Sequence, residues 1–303
     1  MCAEFDGLRS VDDKEEMRMP TFTNQAFLSY NGRQTQSNIV TGQLTEVLTA
    51  AKTAINGMYR PGDVITYALS LVNSSASALT SLTLSDDLGG YGAGAAGTVY
   101  PLTYVADSAR YYQNGVLQAA PTVTAGPPMS IANLTVPAGG NALLIYDAQV
   151  NEFAPAGTMA SITNIATLTG PGLTEPVTAS VNVAAASEAA LSIVKSLCPA
   201  TVTENGQITY TFLIQNSGSL AADAAAGVVV SDRFTPILRD LTVTLNGAAL
   251  AEGTGYTYDA ATGQFDTTAG AVTVPAATYA QDVATGAWST TPGLATLVVT
   301  GTL

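Results

Sequence analysis

Residues 50–73, AAKTAINGMYRPGDVITYALSLVN, recur as residues 193–216, IVKSLCPATVTENGQITYTFLIQN. Lys52 falls on Lys195, Tyr67 on Tyr210 and Asn73 on Asn216 at one constant offset. A repeat of this kind constrains the fold first, because both copies must build the same unit. The correspondence continues: LTLSDDL at 82–88 matches VVVSDRF at 228–234 after a three-residue insertion, LTVPAG at 134–139 matches VTVPAA at 272–277, and ALLIYDAQV at 142–150 matches ATLVVTGTL at 295–303. The second copy stops there, at Leu303, whereas the first runs on through Val183.

That continuation reads as a strand pair around Gly170-Pro171-Gly172. Ile162, Asn164, Ala166 and Leu168, then Val177, Ala179, Val181 and Val183, alternate with period two, the mark of strands with one buried face. Its counterpart stands at the other end of the chain. TFTNQAFL at 21–28 shares Thr23, Asn24, Ala26 and Leu28 with SITNIATL at 161–168, and Asn31-Gly32 supplies a hairpin turn. Short runs of Thr, Val, Tyr and Leu broken by Gly, Pro and Asn favour strands. The expected fold is therefore all-β: tandem Ig-like β-sandwiches, the second incomplete and complemented by an N-terminal β-hairpin. The expected division is a tail or mis-assigned start at 1–18, a donor hairpin at 19–44, a complete sandwich at 45–186, and at 187–303 a sandwich lacking its last two strands. Lys14-Glu15-Glu16 precede Met19 at a distance suited to a translation start there.

A sandwich without its last two strands offers open edges to any matching chain, and a hairpin alone is marginal in water. Each piece needs the other. About five residues join the hairpin to the first copy, a reach of at most roughly 17 Å, which favours completing the next molecule over folding back onto the same one. A joint between two different surfaces, repeated head to tail, gives an open fibre unless it closes into a ring.

The order AAKTA, GDVITYALSLVNSS, LTLSDDLG and SITNIATLTG, with IVKSL, GQITYTFLIQNSG and VVVSDRF in the second copy, resembles the bacterial surface repeat known as domain of unknown function eleven. The resemblance spans nearly all of residues 45–303. It implies tandem extracellular Ig-like sandwiches without catalytic activity, similar to filament subunits of Gram-positive cells or spores. Pilus sandwiches of that general kind join a first-strand Lys to a last-strand Asn with help from a buried carboxylate. On that resemblance, Lys52, Asp86 and Asn164 are the candidates in the first copy, and Lys195 and Asp232 in the second, with Asn24 supplied by the hairpin. Such an amide needs a neutral amine, which burial favours. The same residues also admit a plainer reading, with the lysines on exposed strand faces and the Asn side chains bonding turn backbone.

Other features narrow the function. A net charge of −13, with only ten Lys and Arg, argues against nucleic acid and anionic membranes. No segment is apolar for long enough to span a bilayer. Histidine is absent, so no Ser or Cys nucleophile has the usual base, and an enzyme with a cofactor or metal is not expected. Asp86-Asp87 and the Asp147, Asn151, Glu152 group are read as solvated carboxylates rather than a calcium site. GGYGAGAAG at 89–97 is read as a sheet-to-sheet loop, and Tyr112 and Trp288 as core or rim aromatics. Cys198 is expected to be buried or in a loop. The first twenty residues show no signal-peptide pattern, so a cell- or spore-surface location calls for another export route. The leading expectation is a head-to-tail homopolymer of this chain. The alternative is a monomeric adhesin that binds a glycan or host-surface ligand through the loops at 89–98 or 278–293.

Overall fold

The computed structural model describes residues 21–43 and 46–303. The expectations for residues 1–18 and for a start at Met19 lie outside the described residues. The described chain is all-β apart from two short 3-10 turns, and it contains no helix long and apolar enough to cross a membrane.

The first unit packs two sheets. One orders Val116–Leu117, Arg110–Gln113, Asn141–Val150, Val64–Asn73 and Leu48–Ala54 side by side. The other orders Val123–Thr124, Met129–Val136, Leu79–Asp86, Ser161–Thr169, Val177–Ala185 and Met58–Tyr59. Sequence-adjacent strands therefore divide between the sheets as in an immunoglobulin-type sandwich. Alternation puts Leu69, Leu71, Leu144, Tyr146, Leu82, Leu84, Ile162 and Leu168 into one core between them.

The second unit keeps the first sheet nearly whole. Leu191–Cys198, Gln207–Asn216, Gly293–Thr302 and Arg239–Leu245 lie in the same order as their counterparts. Asn73 and Asn216 play one role in both units. The Asn73 amide donates to the carbonyls of Ser77 and Pro137, that of Asn216 to Leu220 and Pro275, pinning a strand end to the facing sheet. The facing sheet differs. It consists of Ser231–Arg233, Gln264–Thr267 and Tyr256–Asp259. Among the described residues nothing pairs with the other edge of Ser231–Arg233, the edge that in the first unit carries Ser161–Thr169.

Residues 21–43 form a free-standing hairpin. Thr21–Asn24 pairs with Val40–Gln43, and Phe27–Tyr30 with Arg33–Gln36, around Asn31-Gly32 at φ 45° and 72°. Positive φ at both central residues is what a type I′ hairpin turn requires, and Asn-Gly meets it most readily. The Phe22 ring lies across Gly42, where a Cβ would come within 2.3 Å of it. Phe22, Phe27, Leu28, Tyr30, Ile39 and Val40 are all exposed.

Candidate functional site

On the Leu48–Ala54 strand, alternation turns Leu48, Ala50, Lys52 and Ala54 toward the facing sheet. Lys52 lies opposite Leu69, a core residue of the next strand. Its side chain is 0% exposed, and Nζ donates to Asp86 Oδ2 at 2.6 Å. The Tyr146 hydroxyl donates to the same carboxylate oxygen, while Leu88 N–H donates to Oδ1 at 3.0 Å. The ammonium also stands over the Tyr67 and Tyr146 rings, 5.1 and 5.8 Å from their centroids. Asn164 completes the cluster from the Ser161–Thr169 strand. It is fully buried, and its Nδ2 donates to the Tyr146 hydroxyl at 3.5 Å. Among the described residues, two polar atoms in this group have no hydrogen-bond partner: Asn164 Oδ1 and the Tyr67 hydroxyl.

Burial disfavours charge here more than the ion pair restores it. Desolvation pushes the Lys52 amine below its ordinary value, with Asp86 opposing the shift. Desolvation, then the Asp86 charge, holds the Tyr146 phenol well above its usual range. A deprotonation-prone amine, a carboxyl group and a primary carboxamide thus share one buried cluster. Such a set can support acyl transfer from the amide to the amine.

Two sequence expectations need correction here. Asp86 is not a solvated carboxylate, because it is the buried partner of Lys52. Asp87 is half-buried and accepts from the backbone N–H groups of Ile165 and Gly89. Lys52 does not lie on an exposed face, because the strand pair 161–185 covers it. Among the described residues no group of acidic, His or Cys side chains is gathered as for a metal ion.

The second cluster is the same motif uncovered. Lys195 pairs with Asp232 and stands over the rings of Tyr210, Phe212 and Phe234 at 4.6, 5.4 and 5.5 Å. Its side chain is 40% exposed. Every residue of Leu191–Cys198 is exposed, including the inward-facing Leu191, Ile193 and Leu197. Cys198, expected to be buried or in a loop, ends this edge strand and is exposed. Lys195 and Asp232 are brought together, but Asn24 is not. It sits exposed on the hairpin, opposite Val40.

Sequence reasoning aligned Tyr67 with Tyr210 without placing it beside the lysine, and it missed Tyr146 and a clasp between the units. Tyr146 corresponds to Val299 in the second copy, so comparing the copies hid it. The insertion 278–293 is not a free loop. Its strands Thr278–Gln281 and Trp288–Thr291 form a hairpin that lies on the first unit. Trp288 Nε1 and Gln281 Nε2 both donate to the Tyr91 hydroxyl at 3.0 Å, and Trp288 N–H donates to the Glu152 carbonyl at 2.8 Å.

No family model matches this chain, and no curated protein does, so the resemblance to the surface repeat rests on motif order alone. Among solved structures the chain is similar to the full-length major pilin SpaD of Corynebacterium diphtheriae. That match has 13% identity and a TM-score of 0.34, over 81% of this chain and 59% of that one. The pilus backbone RrgB of Streptococcus pneumoniae gives 12% identity and 0.33, over 81% and 55%. BcpA, the major pilin subunit of Bacillus cereus, gives 11% identity and 0.34, over 89% and 73%. The chain thus spans little more than half of the first two. The fold assignment rests on the strand ladders of the chain itself.

Proposed function

We propose that this chain is a structural subunit of a cell- or spore-surface filament, assembled head to tail when the hairpin of one copy fills the open face of the second unit in the next. One observation carries the reading: the base of the hairpin has the register of the strand pair that covers the same face in the first unit, while its tip, where Phe27 pairs with Gln36 and Leu28 with Thr35, is shifted by one residue. Asn24 lies opposite Val40 and Phe22 opposite Gly42, just as Asn164 lies opposite Val181 and Ile162 opposite Val183. Docked in that register, Phe22, Ala26 and Leu28 take the places of the buried Ile162, Ala166 and Leu168, and Val40–Gln43 takes the place of Val177–Ala185, the strand that packs on Leu48–Ala54, and so faces Leu191–Cys198.

Each large apolar side chain so covered contributes roughly 1.5–3 kcal/mol gross. A hairpin alone is marginal in water, so part of that gain offsets the cost of ordering it on association. The edge of Ser231–Arg233 gains a partner strand, as in other forms of strand addition. Hairpin and open face are different surfaces, so the joint propagates as an open fibre. For the adhesin reading, its two candidate loops meet one another, since Gln281 and Trp288 donate to Tyr91, while the hairpin tip at Val283 stays exposed.

The same reading takes Lys52 and Asn164, assisted by Asp86, as an autocatalytic amide pair that fastens the Leu48–Ala54 strand to the Ser161–Thr169 strand of the first unit. Intact mass lighter by one ammonia checks it. The assembly itself is tested by electron microscopy and light scattering of the purified protein. Filaments that grow with concentration and vanish on deletion of residues 19–44, or in Leu28→Asp, are the expected result. A monodisperse monomer at high concentration contradicts it.

A further inference from the structure

The two sides of the second unit differ in charge. On its facing sheet, Arg233, Asp259 and Asp266 line one polar groove. The outward side of its first sheet is built otherwise. There Thr242, Thr300 and Thr209 stand in one row across three strands, and Thr244, Val298 and Thr211 in the next. Two further rows run through Leu213 with Thr296 and through Gln215 with Leu294. The edge strand Leu191–Cys198 extends the rows with Ser, Val and Cys side chains. All four rows are free of charge. The matching face of the first unit is not, because Arg110 pairs with Ile145 in one row and Asp147 with Thr66 in another.

This distribution has a consequence in a chain of net charge −13. Copies that meet at acidic surfaces repel one another, whereas this face offers only hydroxyl, amide, thiol and aliphatic groups. A threonine hydroxyl both donates and accepts, so rows from two copies satisfy each other in either direction. Thr209 Oγ1 and Thr300 Oγ1 already do so between their own strands at 2.9 Å. A hairpin docked as above faces the inward side of Leu191–Cys198 and leaves the outward face bare. Resting on that donation reading, we infer that this face is a lateral contact, through which the second unit in one filament packs on the second unit in a neighbouring filament, like face on like face.

The area of the face makes the contact a property of filaments. Strands lie about 4.8 Å apart and alternate residues about 6.6 Å apart, so four strands by four rows cover roughly 300 Å². A stable pair of free proteins buries about 800 Å² on each side. Single copies therefore stay apart. Along a filament the face recurs once per copy, and after the first contact the next ones form at high effective concentration. The remaining negative charge opposes the approach until salt screens it, at roughly 30 Å in 10 mM salt and about 8 Å in 150 mM.

The test is electron microscopy of full-length filaments at those two salt concentrations. Wild-type filaments should lie singly at the lower and side by side at the higher. Thr211→Glu, beside the centre of the face, should still polymerise and should lie singly at both. Thr242→Glu, on an exposed position of the same face, should do the same. Thr257→Glu, exposed on the facing sheet, should join as wild type does. Mixing Thr211→Glu filaments with Thr211→Lys filaments should restore side-by-side pairs. Wild-type filaments that lie singly at both salt concentrations, or Thr211→Glu and Thr242→Glu filaments that join as wild type does, overturn the inference and leave the donation reading standing. Loss of joining in Thr257→Glu with joining kept in Thr211→Glu moves the contact to the other side of the unit and overturns it equally. Absence of filaments in every form, indifferent to deletion of 19–44, overturns both.

Discussion

The two units share one motif but treat its lysine differently. Lys52 and Lys195 lie on equivalent strands, stand over equivalent tyrosines and pair with equivalent aspartates, yet one is 0% and the other 40% exposed. The lysine strand and its neighbours are common to both. What differs is the strand pair 161–185, present over the first unit and absent over the second among the described residues. Leu48 and Leu191 report the same contrast, at 1% and 41% exposed. The environment of the lysine is thus set by the cover rather than by the local sequence, and a detachable cover makes an assembly joint.

The comparison can be broken most sharply at the lysines. Lys52→Met should destabilise the first unit by about 3–5 kcal/mol, because it strands a buried carboxylate. Lys195→Met in hairpin-deleted monomer should cost the second unit less than about 1 kcal/mol, as for an exposed pair. Denaturant unfolding followed by hydrogen exchange in each unit separates the two. Next in size, Leu48→Ala should cost about 2–5 kcal/mol as a core cavity. Leu191→Ala should change the monomer little, yet raise the concentration needed for assembly. Smaller again is the clasp. Tyr91→Phe removes the acceptor of two hydrogen bonds across the units and the donor of one to the Phe153 carbonyl, worth about 1 kcal/mol each, and should loosen the units without melting either, as read by solution scattering.

The smallest effect is a pH dependence that distinguishes a free from a bonded Lys52. A free amine with a lowered folded value binds fewer protons folded than unfolded, so stability climbs with pH toward the ordinary lysine value of 10.5. Asn164→Ala, which leaves the amine free, should show that rise. A wild-type chain with the amide formed should show none. Above the ordinary phenol range of 10.0 the buried Tyr67 and Tyr146, whose folded values are raised, reverse the slope in both proteins.

Much of this contrast was legible in the sequence because repeats act as their own alignment. Lys52 against Lys195 located the clusters. The Asn31-Gly32 pair marked a hairpin turn, and both residues adopt positive φ. The period-two pattern of 162–168 identified the covering strands. What had no counterpart in the other copy stayed hidden. Tyr146 faces Val299, and the 278–293 hairpin, with Trp288 on Tyr91, belongs to one copy only. Cys198 was misjudged because composition alone favours burial for cysteine, whereas its exposure follows from an edge strand left uncovered.

The central claim, that this hairpin completes another copy's second unit in the register of the first, is tested most directly by a disulfide across the joint. In the first unit Thr167 lies opposite Ser85, which places Phe27 of one copy opposite Ser231 of the next. Phe27→Cys with Ser231→Cys, in a chain whose Cys2 and Cys198 are replaced by Ser, should oxidise to a ladder of multimers that reduction returns to monomer. Oxidised monomer with the bond closed inside one chain, or free thiols at concentrations where filaments form, would contradict the account.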